Sequence, residues 1–218
     1  MSKSDAHFRG DDLRQSSLAQ PRRPEYQHMV QCLGPRRCGF DGANGREVLV
    51  FDGLATLEET ARYFAALSRA SFTRTEKARP DSDEFRHWVC EMPLENLPRI
   101  SLWPATQAAV ASARPGEQYH PYRVYTNYAS FGDTLLTHVD ALPNARELTA
   151  LWFVAEQWDS EWGGETLFYD DAGDAQIAVS PRPGRLLLFD GAIRHAGKPP
   201  NRNCPVGRYT FAIKLRAG

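Results

Sequence analysis

Apolar and polar positions follow two regimes along this chain. In the first half, short apolar runs are interleaved with helical spacing. Glu47-Val-Leu-Val-Phe51 is apolar and bounded by Gly45 and Gly53, which predicts a buried strand. Thr56 and Glu59 have the spacing of a capping box, in which hydroxyl and carboxylate satisfy the first free amides of a helix. Leu57, Ala61, Phe64 and Leu67 then recur at helical spacing to about Ala70, an apolar stripe expected to cover a sheet. Ser71–Thr75 and Phe85–Cys90 read as strands around a charged loop with Pro80, Asp81 and Asp83, the kind of loop that folds over a site on a rigid scaffold. His87 and Trp88 are candidates for substrate contact, though a solvated His on a paired edge strand is the plainer reading. Trp103-Pro104 opens an alanine-rich helix to about Ala113, which Arg114-Pro115-Gly116 ends.

From Tyr119 the pattern shortens to a period of two. Tyr122–Thr126 alternates, and Tyr128–Leu136 reads as a strand, a turn at Gly132 and a second strand. Strands follow at Leu148–Trp158, Glu165–Tyr169, Gln176–Val179, Arg185–Phe189 and Arg208–Leu215, divided by turns at Trp162-Gly163-Gly164, Asp170–Asp174 and Pro181–Gly184. Roughly seven or eight short strands at this spacing predict a sandwich or small barrel. Helices first and strands afterwards make the chain α+β.

Composition narrows the setting. The 218 residues suit one domain, with 24% charged and 42% hydrophobic residues, as in ordinary globular chains. A formal charge of −1 gives no argument for nucleic acid or an anionic membrane as partner. Cys32, Cys38, Cys90 and Cys204 are scattered, which disfavours a structural zinc site or a disulfide scaffold and fits a reducing cytosol. No run reaches membrane-spanning length, and residues 1–20 lack an apolar signal centre, so a cytoplasmic protein is expected. Residues 1–24, broken by Pro21-Arg22-Arg23-Pro24, read as a flexible tail ahead of a single domain over 25–218.

The candidate chemistry lies in the β half. In Thr137-His138-Val139-Asp140, residues two apart on a strand project to one face, so an imidazole and a carboxylate converge. His195 follows the apolar run 186–189 and the turn Asp190-Gly191. Two histidines and a carboxylate with open positions form a facial triad for non-heme Fe(II). The alternative is a solvated His and Asp at a strand end, since so short a motif also arises by chance.

His138-x-Asp140, Trp162-Gly-Gly-Glu-Thr166, Gly184-Arg-Leu-Leu-Leu-Phe189, His195 and Gly207-Arg208-Tyr-Thr-Phe211 occur in this order. In this the chain resembles the 2-oxoglutarate- and Fe(II)-dependent dioxygenases of the prolyl-4-hydroxylase-like group. The likeness is specific over 122–216 and generic before. It implies a double-stranded β-helix (jelly-roll) core with the N-terminal helices packed against its major sheet. It also implies Fe(II) on His138, Asp140 and His195, with 2-oxoglutarate and O2 as cosubstrates and ascorbate as a candidate reductant. Arg208 would take the distal carboxylate of 2-oxoglutarate, because a guanidinium fork meets a carboxylate bidentately and keeps its charge when desolvated. Arg202 is the rival, in a Pro/Asn loop. By position Tyr128 would hydrogen-bond the cosubstrate or serve as a core aromatic. Leu151 or Phe153 would pack against its carbon chain, and Thr166 would face the pocket or be a plain strand threonine. Relatives that halogenate carry a small residue in place of Asp140, so its presence argues for hydroxylation or a related oxidation.

For substrate, the compact chain favours a small molecule, such as an amino acid or natural-product intermediate, with Arg123 or Arg86 as candidate anchors for a carboxylate. Hydroxylation of a prolyl or other side chain in a protein is the alternative. A catalytically silent barrel and a zinc hydrolase are readings of other classes; the last would leave Arg208 unexplained.

Overall fold

The computed structural model describes residues 36–38 (backbone only), 46–67 and 69–218. The expected tail over 1–24, the start of the domain at 25, and Cys32 lie outside the described residues. In chain order the strands are β1 (Arg36–Cys38), β2 (Val48–Phe51), β3 (Thr73–Glu76), β4 (His87–Met92), β5 (Tyr119–Ala129), β6 (Glu147–Phe153), β7 (Thr166–Tyr169), β8 (Ala175–Val179), β9 (Leu186–Asp190), β10 (His195–Gly197) and β11 (Arg208–Ala217). Two α-helices, α1 (Leu57–Leu67) and α2 (Leu102–Ala113), precede β5.

Eight strands form one sheet in the order β1-β2-β9-β6-β11-β5-β4-β3, and β10-β7-β8 form a second, with antiparallel pairing throughout. Alternation along the central strands explains the layering, because it divides each strand between two faces. Val124, Leu148, Ala150, Trp152, Phe211 and Ile213 face a core shared with Tyr63, Leu102, Ala109 and Val110 of the helices. Leu151, Phe153, Leu187 and Phe189 face the other way and pack with Phe168 and Val179 of the small sheet. The helices therefore cover the outer face of the large sheet, and the small sheet closes the inner one. This is the jelly-roll arrangement expected.

The capping box at α1 is formed: Glu59 N–H donates to Thr56 Oγ1 at 3.1 Å, and Thr56 N–H to Glu59 Oε2 at 2.8 Å. The stripe on α1 is met in part: Phe64 packs on Tyr209 and Leu67 against the core, but its most buried positions are others. Leu57 is exposed, and the buried positions are Thr60 and Tyr63. Polar anchors decide this. Tyr63 Oη lies 2.7 Å from Thr126 Oγ1 on β5, and Thr60 Oγ1 turns back to Thr56 O at 3.0 Å. Helix α2 is tied down in the same way by Trp152 Nε1 donating to Thr106 Oγ1 at 2.9 Å.

Several strand assignments differ from expectation. β6 ends at Phe153, where Gly184 N–H takes the Phe153 carbonyl and the chain leaves the sheet. The second strand expected before His138 is absent: residues 134–137 carry no ladder, and His138 makes only a one-residue bridge with His195. β4 is covered by β3 and is not an edge. No helix among the described residues is long and apolar enough to cross a membrane.

Candidate active site

His138 and Asp140 are fixed by backbone rather than by a strand. His138 N–H donates to His195 O, and His195 N–H to His138 O, both at 2.9 Å. The amides of Asp140 and Ala141 both donate to Gly191 O, at 2.7 and 3.0 Å. Residues 138–141 are thus clipped onto the turn that follows β9, which brings the distant parts of the site together. A side chain at Gly191 would meet Ala141 Cβ at 3.0 Å, so the close approach depends on glycine there.

Each imidazole presents Nδ1 to a carbonyl two residues back, His138 to Leu136 O at 3.1 Å and His195 to Ile193 O at 2.9 Å. This assigns the proton to Nδ1 and leaves the Nε2 lone pair to point inward, as a metal ligand requires. His138 Nε2 lies 3.5 Å from Asp140 Oδ1 and His195 Nε2 lies 3.6 Å from Asp140 Oδ2. The three ligand atoms all fall within 4.8 Å of one another, a span that a small closing rotation fits to one ion with bonds of about 2.1 Å. The donor set, two neutral nitrogens and one carboxylate, suits Fe(II). Burial pushes the His195 imidazole down to about 4, which keeps it neutral and ready to ligate.

Burial alone would raise the Asp140 carboxyl, but the Lys214 ammonium beside it holds it well below the usual range. Lys214, buried on β11, contacts Asp140 Oδ2 and donates to Thr149 Oγ1 at 3.0 Å; Thr149 in turn donates to Asp140 Oδ2 at 2.6 Å. Lys214 was not foreseen. The signal was available, because Arg208, Thr210, Ala212 and Lys214 share one face of an alternating strand.

The triad opens into a cavity of about 330 Å³, lined also by Leu151, Thr166, Arg208, Lys214, His87 and Asn127. Arg208 is 3% exposed. Its Nε donates to Gly164 O at 2.7 Å and its Nη2 to Thr166 Oγ1 at 2.9 Å. Two consecutive residues with positive φ, Gly163 at 68° and Gly164 at 80°, shape the turn that supplies that carbonyl. No carboxylate among the described residues pairs with the guanidinium. Burial pushes it down to about 10, with Glu165 opposing from longer range. Arg202 instead lies over the Phe131 ring.

The remaining candidates divide. Leu151 and Thr166 line the cavity. Phe153 sits behind it, under the Arg208 guanidinium at 5.3 Å, and is not part of the lining. Tyr128 is on the wrong face of β5. Arg123, Tyr125 and Asn127 look inward, so Tyr128 looks outward, where it packs on Tyr209 with ring centroids 4.7 Å apart. It is a half-buried member of a ring cluster with Phe72 and Tyr209. Arg123 does reach the cavity, yet it is bound by Glu76 at 2.7 and 3.1 Å and by Glu91, and Arg86 pairs with Asp83 outside. Neither is free to hold a substrate carboxylate. His87 is not solvated: it is 5% exposed in the cavity wall, and burial holds its ring below the ordinary value. The charged loop lies at the mouth, where Lys77 and Ala78 join the lining and Arg79 Nη1 donates to Thr137 O at 3.0 Å.

Residues 123–214, which contain the triad and Arg208, match the sequence profile of the 2OG-Fe(II) oxygenase superfamily. In this segment the chain is similar to that superfamily. The described donor set, two imidazoles and a carboxylate, fits the Fe(II) that the profile's name carries. Solved structures share the fold at low identity. A Pseudomonas putida prolyl-4-hydroxylase aligns with TM-score 0.56 at 13% identity, over 78% of this chain and 92% of its own. A viral collagen prolyl hydroxylase from Paramecium Bursaria Chlorella virus-1, in complex with 2OG, gives 0.55 at 18%, over 78% and 96%. The epimerase SnoN from nogalamycin biosynthesis gives 0.58 at 15%, over 78% of each chain. No curated protein sequence matches this chain closely enough to count as a relative.

Proposed function

We propose that His138, Asp140 and His195 hold the ferrous ion, that Arg208 holds the distal carboxylate of 2-oxoglutarate, and that the enzyme hydroxylates or otherwise oxidises an unactivated C–H of a small molecule. The observation that carries this is the convergence of two inward Nε2 atoms and one carboxylate in the same cavity as a buried guanidinium without an anion. Bound iron supplies oxygen activation coupled to conversion of 2-oxoglutarate and O2 to succinate and CO2.

The chain's own residues do the placing. Gly164 O and Thr166 Oγ1 aim the Arg208 fork, and a fixed fork sets the register of a dicarboxylate along the cavity. Leu151 offers apolar surface to its methylenes. Thr149 and Lys214 occupy Asp140 Oδ2, leaving Oδ1 as the freer oxygen for the metal. Loop residues Lys77 and Ala78 narrow the mouth and limit water.

The small-molecule reading draws support from a cavity of this modest volume and from the natural-product epimerase among the similar structures. Oxidation of a side chain in a peptide is the second reading, favoured by the prolyl hydroxylases among them and by Val139, which lines the mouth at 47% exposure. We further propose a single domain over 25–218 and a cytoplasmic setting, the latter resting on the free thiols Cys90 and Cys204. Anaerobic Fe(II) plus 2-oxoglutarate should give a weak visible charge-transfer band that His138→Ala lacks. A folded wild-type protein without that band sinks the proposal. Succinate release driven by a panel of small molecules and peptides decides between the two substrate readings.

A further inference from the structure

Two buried polar atoms in the cavity wall have no hydrogen-bond partner among the described residues: His87 Nδ1 and Asn127 Oδ1. They sit on neighbouring strands. Asn127 lies directly across from Val89, and His87 is two residues before Val89 on the same inward face. The two side chains are therefore diagonal neighbours, and both line the cavity. Neither belongs to the triad, and neither bonds Arg208. Buried polar groups are nearly always satisfied, so a pair left open on one cavity wall marks a place where a ligand completes the bonding.

The charges around the cavity say what kind of ligand. Lys77 pairs with Asp83, Arg123 with Glu76 and Glu91, and Lys214 with Asp140. Arg208 has no anion among the described residues. On the functional reading above, a divalent ion and the 2-oxoglutarate dianion then enter together. With Arg208 taken by 2-oxoglutarate, each charged side chain lining the cavity already has an opposite charge beside it, and none is left over for a charged group of the substrate. A charged group brought into such a cavity would lose hydration without a partner, which is costly.

We infer that His87 and Asn127 form a recognition subsite for an uncharged polar group of the substrate, an amide or a hydroxyl, rather than for a carboxylate. This rests on the proposed oxygenase site. The Asn127 carbonyl accepts an N–H or O–H from the ligand, and His87 Nδ1, on a ring that burial keeps neutral, makes the second bond. A free amino acid, with two charges, is a poor fit.

The test uses the full chain loaded anaerobically with Fe(II) and 2-oxoglutarate. The probes are matched pairs: N-acetyl amides of aliphatic amino acids against the same N-acetyl acids, and aliphatic alcohols against the corresponding carboxylic acids. Perturbation of the visible band and, after admission of air, succinate release are read for each. Neutral probes should act at concentrations about tenfold or more below their acid partners. His87→Leu and Asn127→Leu should each weaken that response about tenfold, leave half-saturation by 2-oxoglutarate within about twofold, and not lower the melting temperature, since each removes an unsatisfied polar atom. His87→Gln should retain much of the response. Acids acting as well as neutral probes would overturn the inference, as would a band that forms but answers to no neutral probe. A raised 2-oxoglutarate requirement in the variants would assign the pair to the cosubstrate, and a lowered melting temperature in both would assign it to packing; either outcome also overturns it. If no band forms in the wild type, the oxygenase site itself fails.

Discussion

The Lys214 ammonium rests against the Asp140 carboxylate inside the barrel, with Thr149 bonded to both. Burial would lower the ammonium, but Asp140 and then Tyr125 hold it above its ordinary value. A buried pair is weak evidence of stability as a pair, yet removing one member strands the other. Lys214→Met should therefore cost the metal-free protein about 3 kcal/mol or more in urea unfolding. A divalent ion on Asp140 replaces the lost positive charge, so added Mn(II) should stabilise the variant more than the wild type. Equal stabilisation of both would show that Lys214 does not act through Asp140.

Arg208→Ala should raise the 2-oxoglutarate concentration needed for the visible band by roughly a hundredfold or more, since it removes a buried charge-assisted contact. Metal binding, followed by titration with Mn(II), should change little. Arg202→Ala should leave both alone, because that side chain lies over Phe131.

A side chain added at Gly197 tests the same contact without deleting any polar group. Its Cβ would stand 2.9 Å from Arg208 Nη1 and 3.0 Å from Nη2. Gly197→Ala should push the fork off its aim and weaken 2-oxoglutarate binding about tenfold, a loss expected from misplacement alone. Unchanged affinity would mean that the guanidinium is not held where the cosubstrate needs it.

Acid should destabilise the metal-free protein through His195. Its folded pKa is depressed to about 4 from 6.5, so between those values the unfolded chain binds the extra proton. The neutral-imidazole contribution is complete above about 6.5 and lost as pH falls toward 4, a change on the order of 3 kcal/mol if the full shift is expressed. Asp140, held low, adds acid sensitivity below the ordinary carboxylate range. Urea midpoints taken from pH 7 to 4 should fall less steeply in His195→Asn than in wild type. Parallel curves would refute the assignment.

Much of this was legible in residue order. The capping box at Thr56 and Glu59, the Gly163-Gly164 turn and the alternation on β11 are local, and local chemistry survives in any tertiary setting. Spacing paired His138 with Asp140 and offered His195 as a third ligand, and the family resemblance pointed to Arg208. The surroundings of Tyr128 and His87 were not legible in the same way. Which face of a strand looks inward depends on the layers above and below it, and the parity of β5 put Asn127, not Tyr128, on the cavity side. Arg123 shows the same limit, since its partners Glu76 and Glu91 lie 47 and 32 residues away in sequence.

The sequence by itself determined the order of elements and the α+β class, because those rest on short-range periodicity, and the order of its motifs carried the resemblance that names the four residues around which the chemistry is proposed. Only the tertiary structure decided which polar groups are buried without partners, which cations are already neutralised, and how the 138–141 segment is clipped to Gly191 and His195 without a strand of its own. Burial and long-range pairing are properties of the packed layers, and no window of sequence contains them.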